Sequence, residues 1–285
     1  MPEVRSNTGR TIRLPVHAGD TLARLQKARS RLELKLGRPA TLAELAAEVI
    51  EADLGAPPSS LFVEWDPVPI AAASIGQVHR AVAIDPATGH ERAVAVKVQY
   101  PGVADAVATD LKNADLLGLL LQQGFGGLDP DEMVAEIKER LTEELDYRLE
   151  ARNQTEFADH YRDHPFIRVP AVLPELSTGR VITSEWVEGL SFAAFMEQAD
   201  DAARQRAGEI IWRFSQHSIL RLGAFNGDPH PGNYRFAADG SVTFLDFGLV
   251  KRWTAGEWDT LKPSLHAILQ KDPVRLLSDM ESIGF

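Results

Sequence analysis

The chain has 285 residues, with 30 Lys and Arg against 41 Asp and Glu, a formal net charge of −11 and no cysteine. Apolar residues make up 44% and charged residues 25%, an ordinary globular composition, and the length suits one large domain or two modest ones. The lack of cysteine excludes a disulfide framework, thiolate zinc sites and thiol catalysis, and the acidic balance argues against a general nucleic-acid binder, which needs a net basic face.

The charge is unevenly spread. Residues 1–50 hold nine Lys or Arg and five Asp or Glu, +4, whereas the other 235 hold 21 and 36, −15. Such asymmetry between segments suggests two different histories or two different partners. No apolar stretch of the secretory kind follows Arg5 and Arg10, and the longest apolar run, Leu116–Leu121, is far short of a bilayer span. A cytoplasmic location is the expectation. Leu22, Leu25, Ala28, Leu32 and Leu36 predict an amphipathic helix over 20–36. Thr41 and Glu44 form a capping-box pattern that opens a helix through about Leu54, and Gly55-Ala56-Pro57-Pro58 ends it and marks a boundary.

A strand-rich stretch follows. Ala71–Ile84 is small and apolar around Gly76, and Arg92–Gln99 reads as a strand stopped by Pro101-Gly102. Helices are predicted over 103–123 and 130–157, the second with Met133, Ile137, Leu141, Leu145 and Leu149 as a buried stripe. Short strands are expected at 166–173 and 179–187, then helices at 191–198 and 201–222. Tyr234–Phe236 and Val242–Leu245 read as a hairpin through Asp239-Gly240, a pair that favours positive φ, and helices close the chain at 255–270 and 273–283. A small strand-rich lobe followed by a helical lobe is an α+β arrangement.

The chemistry concentrates in Gly227-Asp228-Pro229-His230-Pro231-Gly232-Asn233 and Leu245-Asp246-Phe247-Gly248. Asp228 precedes Asn233 by five residues, and Asp246 follows Asn233 by 13, across the predicted hairpin. Phosphoryl transfer from ATP uses such a set: one carboxylate orients the attacking hydroxyl or water, while an amide oxygen and a second carboxylate hold Mg2+ ions on the phosphates. Read without that chemistry, the same residues make a polar loop and a turn. Lys97 sits inside an apolar strand, where a bare ammonium is costly to bury. It is either an exposed edge lysine or a phosphate-binding lysine held by a helix carboxylate. The helix predicted over 130–157 offers Asp146 and Glu150 on one face with Glu143, while Glu144 lies off it. A Lys97–Glu150 pair is the assignment that fits the downstream loop.

Five ordered motifs carry a family resemblance over about Ala47–Phe285. Ala71-Ala-Ala-Ser-Ile-Gly-Gln-Val-His79, Ala95-Val-Lys-Val-Gln-Tyr-Pro-Gly102, Glu143-Glu-Leu-Asp-Tyr-Arg-Leu-Glu-Ala151, Gly227–Asn233 and Leu245–Gly248 resemble the UbiB/AarF/ADCK family of atypical kinase-like proteins. The resemblance implies a two-lobed protein-kinase-like fold with an alanine-rich nucleotide loop, here Ala71, Ala72, Ala73, Ser74 and Gly76. It implies ATP and Mg2+ as cofactors, Lys97 and Glu150 as an ion pair, Asp228 as catalytic acid/base, and Asn233 and Asp246 as metal ligands. Glu144 and Asp146 match its Glu-x-Asp element, and Glu185-Trp186-Val187 falls at the interlobe hinge, placing Glu185 and Val187 at the adenine. Family members support ubiquinone or other prenyl-lipid metabolism as ATPases or small-molecule kinases at membranes. A prenyl lipid or quinone precursor and peripheral contact with the inner membrane are therefore the expected partners.

Two departures stand out. The family's N-terminal Lys-x-Gly-Gln element, which restrains protein-kinase activity, has only Lys35-Leu36-Gly37-Arg38 to match it. The chain also ends 37 residues after Gly248, which predicts a C-terminally truncated helical lobe. Residues 10–48, with Arg10-Thr-Ile-Arg-Leu-Pro-Val-His17 and the basic stretch Leu22–Leu45, resemble the start of region three of primary bacterial sigma factors, which implies promoter DNA contacts through Arg13, Arg24, Lys27, Arg29 and Arg31. The expected organisation is a sigma-like helical segment at 1–54, a kinase-like small lobe with inserted helices at 55–188, and a partial helical lobe at 189–285. Two other functions remain open from sequence: a sigma-derived DNA-binding module joined to an inactive kinase-like remnant, and a nucleotide-binding pseudokinase scaffold.

Overall fold

The computed structural model describes residues 37–73, 75–86, 88–104, 107, 135, 138, 139 and 141–282. The helix predicted over 20–36, nearly all of 103–123, Met133, Ile137 and Ser74 lie outside these residues, as does most of the sigma-like segment. The chain divides into two compact units, one made of residues up to Asp146 plus Pro174–Thr183, the other of Tyr147–Leu173 and Ser184 onward.

In the first unit, the capping box opens a helix as expected. The Thr41 side chain accepts from the Glu44 N–H, the Glu44 carboxylate takes the Thr41 N–H, and helix α1 runs Leu42–Leu54 to Gly55, whose φ of 79° suits glycine. The bond from Arg38, with the Thr41 backbone N–H, holds the Glu44 carboxyl down to about 2. α1 buries Leu45, Ala46, Val49 and Ile50 and packs on the sheet. A short helix, α2 (Pro58–Leu61), leads into strands β1 (Glu64–Trp65), β2 (Ala71–Ala72), β3 (Gly76–Ile84) and β4 (Glu91–Gln99). β3 and β4 form a long antiparallel hairpin, and β6 (Val181–Glu185) adds to the far side of β4, giving the order β1-β3-β4-β6 with β2 on β3. One face of the hairpin is fully buried through Val94, Val96, Val98, Ala81 and Ala83, as period-two alternation requires. The link into β6 is tied down at Asp53, which takes the Thr178 hydroxyl at 2.7 Å and the Arg180 guanidinium.

The helix predicted over 130–157 is interrupted. Residues 141–144 are helical, the chain turns at Leu145 and Asp146, and a new helix, α3, runs Tyr147–His160. The Leu145 carbonyl accepts from Gln99 Nε2 at 2.8 Å, which takes it out of a helical ladder. The buried stripe is also different from the one predicted: α3 buries Tyr147, Glu150, Asn153, Gln154 and Phe157, while Leu149 is only half-buried. The amides are tolerated inside because each finds a carbonyl, Asn153 that of Phe247 at 3.0 Å and Gln154 that of Pro170 at 2.8 Å.

The second unit is built on α3 and continues with β5 (Ile167–Arg168), α4 (Phe192–Gln198), α5 (Asp201–His217), β7 (Ala224–Asn226), β8 (Tyr234–Phe236), β9 (Val242–Phe244), β10 (Val250–Arg252), α6 (Ala255–Leu269) and α7 (Pro273–Ser282). α5 is shorter than predicted because Ser218–Leu222 forms a π-turn that ends at Gly223, φ 61°. The predicted hairpin is β8–β9, with Gly240 at φ 82°; β5 joins β9 in parallel, and β7 pairs with β10. β7 and β10, three residues each, went unpredicted. An aromatic core fills the unit: Phe214 stacks on Phe244 with centroids 3.7 Å apart, and Phe157 lies 4.9 Å from Phe247.

Candidate active site

Lys97 belongs to the first unit. β4 is flanked by β3 and β6, so Lys97 is on an interior strand, which removes the edge explanation. Cross-strand register sets Lys97 opposite Val78, and Val78 opposite Ala71, so Ala71, Val78 and Lys97 share one row on the less buried face. The turn between β2 and β3 closes by Ala73 N–H donating to the Gly76 carbonyl at 2.8 Å. Ala71 and Ala72 are exposed. The alanine-rich turn and Lys97 are thus brought together, with side chains small enough for a ligand to approach the backbone.

The second unit gathers Asp228, Asn233, Asp246 and Glu150. Asp228 and Asn233 lie on the loop between β7 and β8, Asp246 just after β9. Asn233 Nδ2 donates to Asp228 Oδ2 at 2.9 Å, which commits the amide nitrogen and turns its oxygen elsewhere. Leu245 N–H donates to the Asn233 carbonyl at 3.0 Å, holding the loop to the end of β9. Asp246 Oδ1 accepts from the Gly248 N–H at 2.9 Å. Glu150, 5% exposed in the first turn of α3, lies against the same glycine: a methyl group on Gly248 would meet Asp246 Oδ1 at 3.3 Å and Glu150 Oε2 at 3.8 Å. The break before α3 leaves Glu144 in the preceding helical stretch and Asp146 in the gap, so the continuous helix predicted to carry Glu143, Asp146 and Glu150 is not formed.

Burial raises the Tyr234 phenol, and the nearby Asp228 charge adds to the rise. His230 is used locally, its Nδ1 accepting from the Gly232 N–H at 3.0 Å, and any Cβ on Gly232 would lie 2.9 Å from that nitrogen. Glu185 ends β6, its N–H donating to the Ala171 carbonyl at 2.8 Å, and Trp186 Nε1 donates to Glu188 at 2.7 Å; Val187 is half-buried. The division between units falls just before this stretch, at Thr183 and Ser184.

Among the described residues no group of three or more His, Cys, Asp or Glu has the arrangement of a metal site. The donor set of Asn233 and Asp246 suits a cation that takes oxygen ligands and completes its shell with phosphates and water, as Mg2+ does. Two residues of the site were not read from sequence. Asn226 precedes Gly227 and bonds both Asp228 and Asp246; Asn153 lies three residues after Glu150, on its helix face, and holds Phe247. The i,i+3 spacing from Glu150 was the available signal for Asn153.

The family described as the ABC1 atypical kinase-like domain matches residues 34–280. The chloroplastic protein Activity of BC1 Complex Kinase 1 of Arabidopsis thaliana is 34% identical over 248 residues, 85% of this chain and 36% of that protein. The mitochondrial atypical kinase COQ8B of Rattus norvegicus is 33% identical over 242 residues, 84% of this chain and 44% of that protein. The matched part of the chain therefore spans less than half the length of these relatives. Among solved structures, that of Rv3197 from Mycobacterium tuberculosis, in complex with erythromycin, is 33% identical with a TM-score of 0.72, covering 95% of this chain and 66% of that one. The α+β, kinase-like fold read from the sequence agrees with these likenesses. No helix among the described residues is long and apolar enough to cross a membrane.

Proposed function

Since the chain belongs to the ABC1 atypical kinase-like family, we propose that it binds ATP with Mg2+ and acts as a UbiB-type kinase or ATPase. The observation that carries the reading is the hydrogen-bonded set of the second unit, in which Asn233 holds the Asp228 carboxylate at 2.9 Å and Asp246 is fixed beside Gly248. Asp228 is the group that orients the attacking oxygen and takes its proton; Asn233 keeps that carboxylate in one rotamer. Asn233 Oδ1 and Asp246 would hold Mg2+, which would neutralise charge on the transferring phosphate. Lys97 takes the phosphates over the alanine-rich turn, with Glu150 as the carboxylate assigned to it by the family resemblance. Glu185 and Val187 supply backbone groups for adenine.

The COQ8B name supports a link to quinone or prenyl-lipid metabolism, with such a lipid as acceptor or effector at a membrane surface. The test is phosphate release and phosphoryl transfer from labelled ATP, with and without vesicles containing a phenolic prenyl lipid. Turnover that rises with lipid and disappears in Asp228→Asn supports the reading. Tight ATP binding with no phosphate release under any condition makes the protein a pseudokinase instead.

A further inference from the structure

The side chain of Asn226, at the end of β7, is committed on both sides. Its Oδ1 accepts from the Asp228 N–H at 3.1 Å and its Nδ2 donates to the Asp246 carbonyl at 2.7 Å. The next carbonyl, that of Phe247, accepts from Asn153 Nδ2 at 3.0 Å. Asn153 is itself held, its Oδ1 accepting from Arg252 Nη2 at 3.0 Å, and Arg252 also pairs with Glu156. Two successive carbonyls of the Asp-Phe-Gly segment are thus bound by side chains from two different elements, a strand end and a helix. The Phe247 ring is fully buried between Phe157 and Phe214.

Each contact is demanding in chemistry. A primary amide accepts and donates at once; a carboxylate can only accept, and an apolar isostere does neither. Moving the segment would leave the carbonyls of Asp246 and Phe247 without these donors and withdraw a large ring from a close-packed core. In kinase-like sites the packing of this phenylalanine is what sets the metal-binding aspartate in or out.

We propose that Asn226 and Asn153 are positioning residues that lock the Asp-Phe-Gly segment in one state and fix Asp246 relative to Asp228, so that the metal–nucleotide complex binds without rearranging it. The proposal rests on the reading that Asp246 ligates the cation. Asn226→Asp keeps the acceptor for Asp228 and loses the donor to Asp246; Asn153→Leu removes the Phe247 donor. In both, the Mg2+ concentration for half-maximal ATP-induced thermal stabilisation rises at least about tenfold, while nucleotide affinity without metal stays within about twofold. A merely structural role would lower the melting temperature and leave the Mg2+ requirement in place.

Folded variants whose Mg2+ requirement is within about twofold of the wild type overturn the lock alone. A wild-type protein with no Mg2+-dependent response overturns the underlying reading and the lock with it. Hydrogen exchange of the metal-free wild-type protein decides the matter if the variants do not fold. Slow exchange at Asp228 and Gly248, little changed by Mg2+ and ADP, supports the lock; fast exchange that slows only on adding both overturns it.

Discussion

Asp228 and Asp246 are held by different kinds of contact, and the difference separates their expected phenotypes. The Asp228 carboxylate meets the Asn233 amide, whereas Asp246 Oδ1 meets the Gly248 N–H. Asp228→Asn keeps the size of the side chain and removes its basicity, so turnover falls by about 10²–10⁴-fold while Mg2+-dependent nucleotide binding persists. Initial rates and thermal shifts measured on one preparation check both halves. Gly248→Ala inserts a methyl group 3.3 Å from Asp246 Oδ1, tighter than ordinary packing, with Glu150 Oε2 at 3.8 Å behind it. The expected result is a several-fold higher Mg2+ requirement in a folded protein, read by titrating Mg2+ at fixed ATP; an unchanged requirement would show that the aspartate has room to yield. Sequence alone named Asp228, Asn233 and Asp246, because polar residues at fixed spacing across a hairpin are a local pattern. It did not name Asn226 or Asn153, whose roles depend on carbonyls 20 and 94 residues away.

At the scale of elements, the parts with local chemistry were legible and those decided by long-range contacts were not. Thr41 with Glu44 and Asp239 with Gly240 announced α1 and the β8–β9 turn, since a cap and a positive-φ glycine are written in neighbouring residues. α3 was misread because a leucine repeat implied one continuous helix, whereas Gln99 captures the Leu145 carbonyl and the buried face downstream is largely polar. β7 and β10 are too short for a period-two pattern and exist through their pairing. α1 and α6 start with the same kind of box, Thr41–Glu44 and Thr254–Glu257. Thr41→Ala removes one of the two capping bonds and is expected to cost about 1 kcal/mol, and Thr254→Ala a similar amount. Urea denaturation measures both; a loss well under half of that for Thr41 would mean that α1 is held by its packing on the sheet and not by its cap.

For the molecule as a whole, Pro174–Thr183 belongs to the first unit because β6 pairs with β4, a contact between segments some 80 residues apart, while Tyr147–Leu173 before it belongs to the second. Both units contain histidines whose pKa the fold lowers. Burial lowers His79, which bonds the Asp66 carbonyl at 2.9 Å and stacks on Trp65, and burial lowers His164 and His217, helped by the charges of His160 and neighbouring arginines. A histidine whose folded pKa lies below its unfolded value gives stability that is intact above about 6.5 and is lost as pH falls from there toward the folded pKa. Urea midpoints should therefore drop as pH falls below about 6.5, and His217→Gln should flatten that slope. The central claim is that Asp246 and Asn233 bind a metal–nucleotide complex, and calorimetric melting with ATP and Mg2+ tests it most directly. At 100-fold over Kd the complex should add about 2.7 kcal/mol, a rise of several degrees, and Asp246→Asn should lose the Mg2+-dependent part. No rise with ATP or ADP, or an equal rise in Asp246→Asn, would contradict it.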